Sequence, residues 1–412
     1  MASRKLGYPP ALVTLVLSTV LMVTGFSMLW PLVTLYVHTR LGLPMSWAGA
    51  VLLIQSAANL AGNLLGGPLF DSWGGRRSIL LGAGAAALAA FGMAWSHGLY
   101  PYLAMTVVLG VGTGLIYPSI NAFAAHVWPE GQRAAFNAIY VASNVGVAVG
   151  SMAGGLLAEV RFSLAFAVTG VLMLLYAVSV LVGMRGPAFR QGPVAERPAG
   201  PQHTERRAAR QGADLLRLAP WLLAAGLCLD WTAYVQWQTT VAVHMQALGF
   251  SIARYSLLWT VNGLLILAGQ PLVGWLARRM PAVKLQILLG NALFILSFLL
   301  LLAARSYSGF VAGMALSTFG EMLVWPGVPT AADRMAPSGR RGLYQGIVSG
   351  VGAMGRAAGP LFGGLLYDSY PTRVLFGVMV GVFALGLLVF SVYDRIGAGG
   401  RPPGEGLAAT PQ

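Results

Sequence analysis

Three fully charged side chains stand inside long apolar runs of the sequence: Asp230, Glu321 and Arg356. Each lies roughly 10 to 14 residues from an end of its run, so at about 1.5 Å per residue all three sit at one depth, near the middle of a helix long enough to cross a bilayer. An ionised group at that depth costs roughly 2.5–3.5 kcal/mol on insertion scales, so each must face a cavity or a partner. A buried carboxyl group can exchange a proton or hold a cation, and Glu321 and Asp230 are read as the proton-coupling pair. Arg356 is expected to act as the charge partner of one of them.

Helical spacing extends this set. Asp230, Tyr234, Trp237 and Gln238 fall on one face of their run, and Ser317, Thr318, Glu321 and Trp325 on one face of theirs. The first half of the chain answers with neutral groups: Gln55, Asn59 and Asn63, then Tyr117 and Asn121, then Asn137, Tyr140 and Asn144. The expectation is a polar cavity lined by Asn59, Tyr117, Tyr140, Asn144, Tyr234, Trp237 and Trp325, with one charged wall.

Such a cavity needs helices to build it, and the composition supplies them. The 412 residues are 57% hydrophobic and 9% charged, with mean hydropathy +0.70, which is the profile of a membrane-spanning chain. Apolar runs at 11–36, 46–70, 78–96, 99–127, 134–158, 162–184, 219–247, 254–277, 284–304, 308–335, 342–367 and 371–393 predict twelve spans. The first is too long for a signal-peptide core and is read as a retained span. Residues 1–184 are expected to form one six-helix bundle and 219–395 a second. Between them, the Pro- and Arg-rich segment 185–218 reads as a linker without a packed core, and 396–412 as a tail.

Charge sets the orientation. Of the 26 Lys and Arg residues, Arg40, Arg161, Arg254, Arg305 and Arg373 fall in loops after odd-numbered spans, whereas nearly all the others lie at the termini and in the even loops. By the positive-inside rule both termini, the linker and the tail are cytoplasmic. The net charge of +14 then faces anionic lipid head groups and requires no nucleic-acid partner. Cys228 is alone and the five histidines have no ligand spacing, so neither a metal nor a cofactor is expected. No G-x-S-x-G, Walker-type loop or HExxH is present, and the chain is not read as an enzyme.

The two halves repeat. Gly112, Leu115, Pro118, Pro129, Gly131 and Arg133 align with Gly320, Leu323, Pro326, Pro337, Gly339 and Arg341; after a one-residue insertion Gly150 aligns with Gly359, and the GGLL of 154–157 with that of 363–366. Parallel copies imply a pseudo-twofold axis along the membrane normal and a cavity between the bundles.

Over essentially its whole length the chain resembles the major facilitator superfamily. The loop after the second span reads Gly67-Pro-Leu-Phe-Asp71-Ser-Trp-Gly74-Gly-Arg76-Arg77, similar to that family's G-x-L-a-D-r-x-G-r-k, with Ser72 and Gly75 in place of basic residues. The resemblance implies an all-α fold of twelve helices in two bundles and alternating access. It also implies a latch of Gly67, Asp71, Gly74, Arg76 and Arg77, in which Asp71 faces the positive N-terminus of the eleventh helix in one state more than in the other. The equivalent loop of the second half has Gly274 in place of the acid. Gly355-x3-Gly359-Pro360-x2-Gly363-Gly364 is similar to a motif of drug:proton antiporters, although there it belongs to the fifth helix, where this chain has Ser151 instead of proline. The stretch Gly320-Glu321-Met322 with Pro326 also looks like that branch. The function implied is proton-coupled efflux of amphipathic or cationic small molecules by a monomer in a bacterial inner membrane, with protons and the lipid bilayer as partners. The alternative is proton-coupled uptake or export of a specific metabolite such as a sugar or organic anion.

Overall fold

Apolar runs that exclude water must close their backbone hydrogen bonds internally, which in a single segment means a helix. Helices and short connections make up the described residues, 9–95, 98–128, 132–184, 218–337 and 340–397, of the computed structural model. In the first half they are α1 (Pro10–Leu35, continued by a π-helical turn Tyr36–Arg40), α2 (Met45–Trp73), α3 (Gly75–Trp95), α4 (Leu99–Val127), α5 (Gln132–Val160) and α6 (Phe162–Gly183). The second half has α7 (Leu218–Tyr234), α8 (Thr240–Ala247), α9 (Ile252–Arg279), α10 (Val283–Ala303), α11 (Tyr307–Met335), α12 (Arg341–Ser369) and α13 (Thr372–Gly397). Counting α7 with α8 as one, eleven stretches are long and apolar enough to cross a membrane. The predicted eleventh span, α12, has 29 residues but is diluted by its glycines and Arg356. The linker up to residue 217 and the tail from 398 lie outside the described residues.

The seventh span departs from the expected single helix. Its α-helix stops at Tyr234, a 3-10 turn covers Val235–Trp237, and the chain restarts at Thr240. Gln236 explains the break. Its Oε1 accepts from the hydroxyls of Thr239 and Thr240 at 3.2 and 3.1 Å, while its Nε2 donates to the carbonyls of Thr232 and of Gly359 on α12 at 3.0 and 2.9 Å. Side chains thus replace the ladder where it is interrupted. Gly363 makes this possible, because any side chain there would overlap the Gln236 amide.

Within each bundle small residues bring backbones together, and they do so at equivalent places. Gly112 of α4 lies against Gly82 of α3, and Gly320 of α11 against Gly290 of α10, each so close that an added Cβ would meet the partner's carbonyl oxygen. Gly150 of α5 abuts Thr24 of α1, and Gly359 of α12 abuts Thr232 of α7. These are the close small-residue crossings that membrane helices use, and they fall on the pairs that the repeat aligned.

The bundles meet on the side away from the termini. There Gly49 of α2 packs on the backbone of Pro360 and Leu361, Gly364 of α12 on Met45 and Ser46, and Gly155 of α5 on Ser256 of α9. Two carboxylates close the seam. Asp368 at the end of α12 accepts the N–H groups of Met45 and Ser46, each at 2.8 Å, and Glu159 at the end of α5 accepts that of Ala253 at 2.9 Å. Each carboxylate therefore caps the first turn of a helix in the opposite bundle, where free N–H groups and the helix dipole favour negative charge. Toward the other side α12 stands clear: side chains added at Gly346 or Gly350 would meet nothing within 4 Å.

Candidate functional site

Glu321 is held in a shell of neutral donors. It is 6% exposed; the Tyr234 hydroxyl donates to its Oε2 and the Asn262 Nδ2 to its Oε1 at 2.8 Å, while Trp325 lies one turn along α11. The Asn262 amide also reaches the Thr318 hydroxyl at 2.9 Å, so α7, α9 and α11 converge on one carboxyl group. Asn262 is absent from the residues expected in the site. A lone Asn in the apolar stretch LLWTVNGLL is the signal that could have found it.

Aromatic rings extend the site. Trp231 and Trp325 stack with centroids 4.3 Å apart and planes 2° from parallel, and Tyr234 stands edge-on to both, at 5.6 and 5.4 Å. The Arg356 guanidinium carbon lies 4.9 Å from the centre of the Trp231 ring, a cation–π distance. Across the seam Tyr140 of α5, half-exposed, is close enough to Glu321 for their groups to interact electrostatically, and Tyr117 of α4 stands in the same relation to Arg356. Tyr234, Glu321, Trp325 and Arg356 therefore lie in one cluster, joined by Trp231 as an unexpected member.

The expected ion pair is not formed. Among the described residues no carboxylate comes within 4.0 Å of Arg356; two stacked indoles separate its guanidinium from Glu321. Asp230 does not join this cluster either. It is fully buried, its Oδ1 accepts from the Asn291 Nδ2 of α10 at 2.6 Å, and it packs against Gly386 of α13. At about 100° per residue Asp230 and Trp231 point to different sides of α7. The stripe through Asp230 and Trp237 turns into the bundle, and Trp231 turns toward α12. Trp237 is likewise fully buried, between Gly313 and Phe298. Its expected place in the cavity is corrected to core packing.

Asn59 also works within its bundle: its amide donates to Thr113 of α4 at 3.0 Å and its Oδ1 accepts from Asn63 at 2.9 Å. Asn144 donates to the Tyr140 carbonyl one turn back along α5 at 2.9 Å. Of the expected latch, Gly74 makes the α2–α3 turn with φ +86°, a conformation that favours glycine. Arg76 donates to the Leu181 carbonyl on α6 at 2.7 Å, and Arg77 is exposed. The surroundings of Gly67 and Asp71, and the side chains of Asn121 and Asn137, lie outside the described residues.

Because Asp230 already has a polar partner in Asn291, away from Glu321, Asp230→Asn, which keeps its shape and can still bond Asn291, is expected to leave gradient-driven transport within about twofold of the parent. The checks are transport in proteoliposomes and thermal unfolding in detergent. Loss of coupling in a variant that stays folded would return Asp230 to the proton path.

Two bundles related by repeat, joined at a glycine seam around a central acid and cation, are matched by a family model described as Major Facilitator Superfamily, over residues 15–281 and 222–411. The chain belongs to this superfamily. It is a multi-pass membrane transporter, not an enzyme. Among relatives, the uncharacterized MFS-type transporter YttB of Bacillus subtilis (strain 168) is 42% identical over 94% of this chain and 96% of its own. A Na(+), Li(+), K(+)/H(+) antiporter of Planococcus maritimus is 24% identical over 90% and 94%. Among solved structures, a peptide transporter POT in complex with sulfate superposes with TM-score 0.78 at 19% identity, covering 95% of this chain and 96% of that one. At that identity the likeness concerns the fold alone. For a superfamily member the central cavity between bundles is where a solute must cross, which makes the Glu321–Arg356 constellation the candidate solute and ion site.

Proposed function

We propose that this transporter couples solute movement to protons by alternating access, with Glu321 as the group that carries the proton. The observation behind this reading is that Glu321 is buried and, among the described residues, its carboxylate accepts from two neutral donors, Tyr234 and Asn262. A carboxylate in that setting has no cation in contact with it among the described residues, and it can shed the cost of its charge by taking up a proton or by meeting a charged solute. Tyr234 and Asn262 come from α7 and α9, and α9 is also the helix that Glu159 caps from the other bundle. The proton site thus shares an element with the seam that must open in the transport cycle.

The solute in this reading is an amphipathic small molecule, seated against the Trp231–Trp325 stack with Tyr117 and Tyr140 opposite, and the task is multidrug-type efflux across the plasma membrane by a monomer with both termini cytoplasmic. The antiporter-like run from Gly355 to Gly364 favours this branch, and Asp71 and its neighbours are the matching latch on the cytoplasmic side. Specific transport of a metabolite such as an organic anion is the second reading, and Arg356 favours it, since the cavity keeps a cation after Asp230 has turned away.

The test is the reconstituted protein under an imposed pH gradient, with a panel of cationic, neutral and anionic amphiphiles. The reading expects at least one to move against its own gradient, with proton flux that follows its concentration. If every compound equilibrates passively while the pH gradient persists, proton coupling is refuted.

A further inference from the structure

We propose that Arg356, backed by Trp231, is an oxyanion subsite: the transported solute carries a carboxylate, sulfonate or phosphate on a flat apolar body, and it travels together with the proton on Glu321. This deepens the second reading of the same cavity and rests on it.

Position and chemistry carry the inference. The guanidinium lies over the Trp231 ring, and among the described residues no hydrogen bond or ion pair engages its N–H groups. Five donors in a fork are thus available to two oxygens of one ligand, the pairing for which arginine is suited and lysine is not. Trp231 fixes the cation while its own far face is covered by Trp325, so the stack is a rigid wall rather than a mobile side chain. The helix that carries Arg356, α12, packs on α2 of the opposite bundle through Gly49 and Gly364, which places the subsite on a helix of the seam.

Charge arithmetic then gives the sense of coupling. With Glu321 ionised, Arg356 and Glu321 sum to zero. An arriving oxyanion leaves the cavity at minus one, and protonation of Glu321 restores neutrality. Anion binding therefore favours proton uptake, whereas a cationic solute would favour proton release, and by linkage the effect is reciprocal.

The experiment uses the full chain in neutral detergent with three probes on one skeleton: 1-naphthoate, 1-naphthamide and 1-naphthylmethylammonium, at a pH where the acid and the amine are fully charged. Calorimetry is expected to show the naphthoate binding about tenfold or more tighter than the amide, with protons taken up from weakly buffered solution. Arg356→Gln should erase the preference, and Arg356→Lys should keep only part of it. Should the glutamine variant not fold, the lysine variant and Trp231→Leu carry the same comparison. Equal binding of acid and amide, tighter binding of the ammonium, no binding of the naphthoate, or a preference that survives Arg356→Gln would each overturn the subsite. Repeating the titration in nanodiscs with anionic lipid separates a solute site from a head-group site: relief of naphthoate binding by the lipid alone would assign Arg356 to lipid and overturn the proposal. In Glu321→Gln the naphthoate should still bind while proton uptake disappears. Binding with uptake unchanged in that variant would refute Glu321 as the carrier, leaving the anion preference to stand on its own.

Discussion

Glu321→Gln is expected to abolish proton-driven transport and to leave the cavity otherwise intact. Glutamine keeps the volume of the side chain and an oxygen able to accept from Asn262 or Tyr234, but it cannot take up or release a proton. The bonds that join α7, α9 and α11 at this point survive in number, so folding should change little. A hydrophobic replacement would instead strand the Asn262 amide and the Tyr234 hydroxyl, each at a cost of about 1–3 kcal/mol, and would confuse loss of coupling with loss of structure. The expected result is gradient-driven uptake at the level of empty liposomes, exchange of solute down its own gradient preserved, and solute binding that no longer varies with pH. Gradient-driven transport by the glutamine variant at the parent's rate would remove Glu321 from the proton path.

The second large effect is expected from the seam. The double variant Glu159→Ala/Asp368→Ala should shift the protein out of the state closed on the side away from the termini. Each carboxylate caps a helix of the other bundle through backbone N–H groups. A charged cap of this kind contributes about 1 kcal/mol, so losing two weakens closure by about 2 kcal/mol, or about 30-fold in the balance of states. Spin labels at Trp95→Cys and Arg305→Cys, both exposed on that side, in a Cys228→Ser background, would report it. The double variant should populate a longer distance that the parent lacks. Identical distance distributions would show that the glycine seam closes without help from the caps.

These caps also give the proposed Asp71 latch a physical context. Helices α2 and α12 run antiparallel across the seam, so the end of one meets the start of the other on each side of the membrane. On the side away from the termini, Asp368 of α12 caps α2. On the terminal side, we propose that Asp71 of α2 caps the start of α12 in the alternate state. Rocking of the bundles would exchange one cap for the other, and a proton or solute at the centre would then need to bias two states of similar energy rather than create one. In the α5–α9 pair Gly274 stands where the second-half counterpart of Asp71 would be.

What the sequence determined by itself is what depends on local chemistry. Apolar runs fixed twelve helices to within a few residues, since a backbone without water has few alternatives to a helix. Gly112 and Gly320 marked the repeat because a glycine needed for close approach in one bundle is needed at the same place in its copy. Glu321 stood out because charge in an apolar run is costly wherever it points. Tertiary structure decided the direction of each side chain around its helix. In a membrane, the faces toward lipid and toward neighbouring helices are both apolar, so periodicity carries little information about which stripe meets the cavity. Asp230 and Trp231 are adjacent in sequence, yet one bonds Asn291 inside the bundle and the other backs Arg356. The break at Gln236 was equally hidden, since its stability comes from Gly359 and from the space left by Gly363, more than a hundred residues away. The partners of Glu321 and Arg356 follow from which glycines let which helices approach, and that is settled only when all of them pack together.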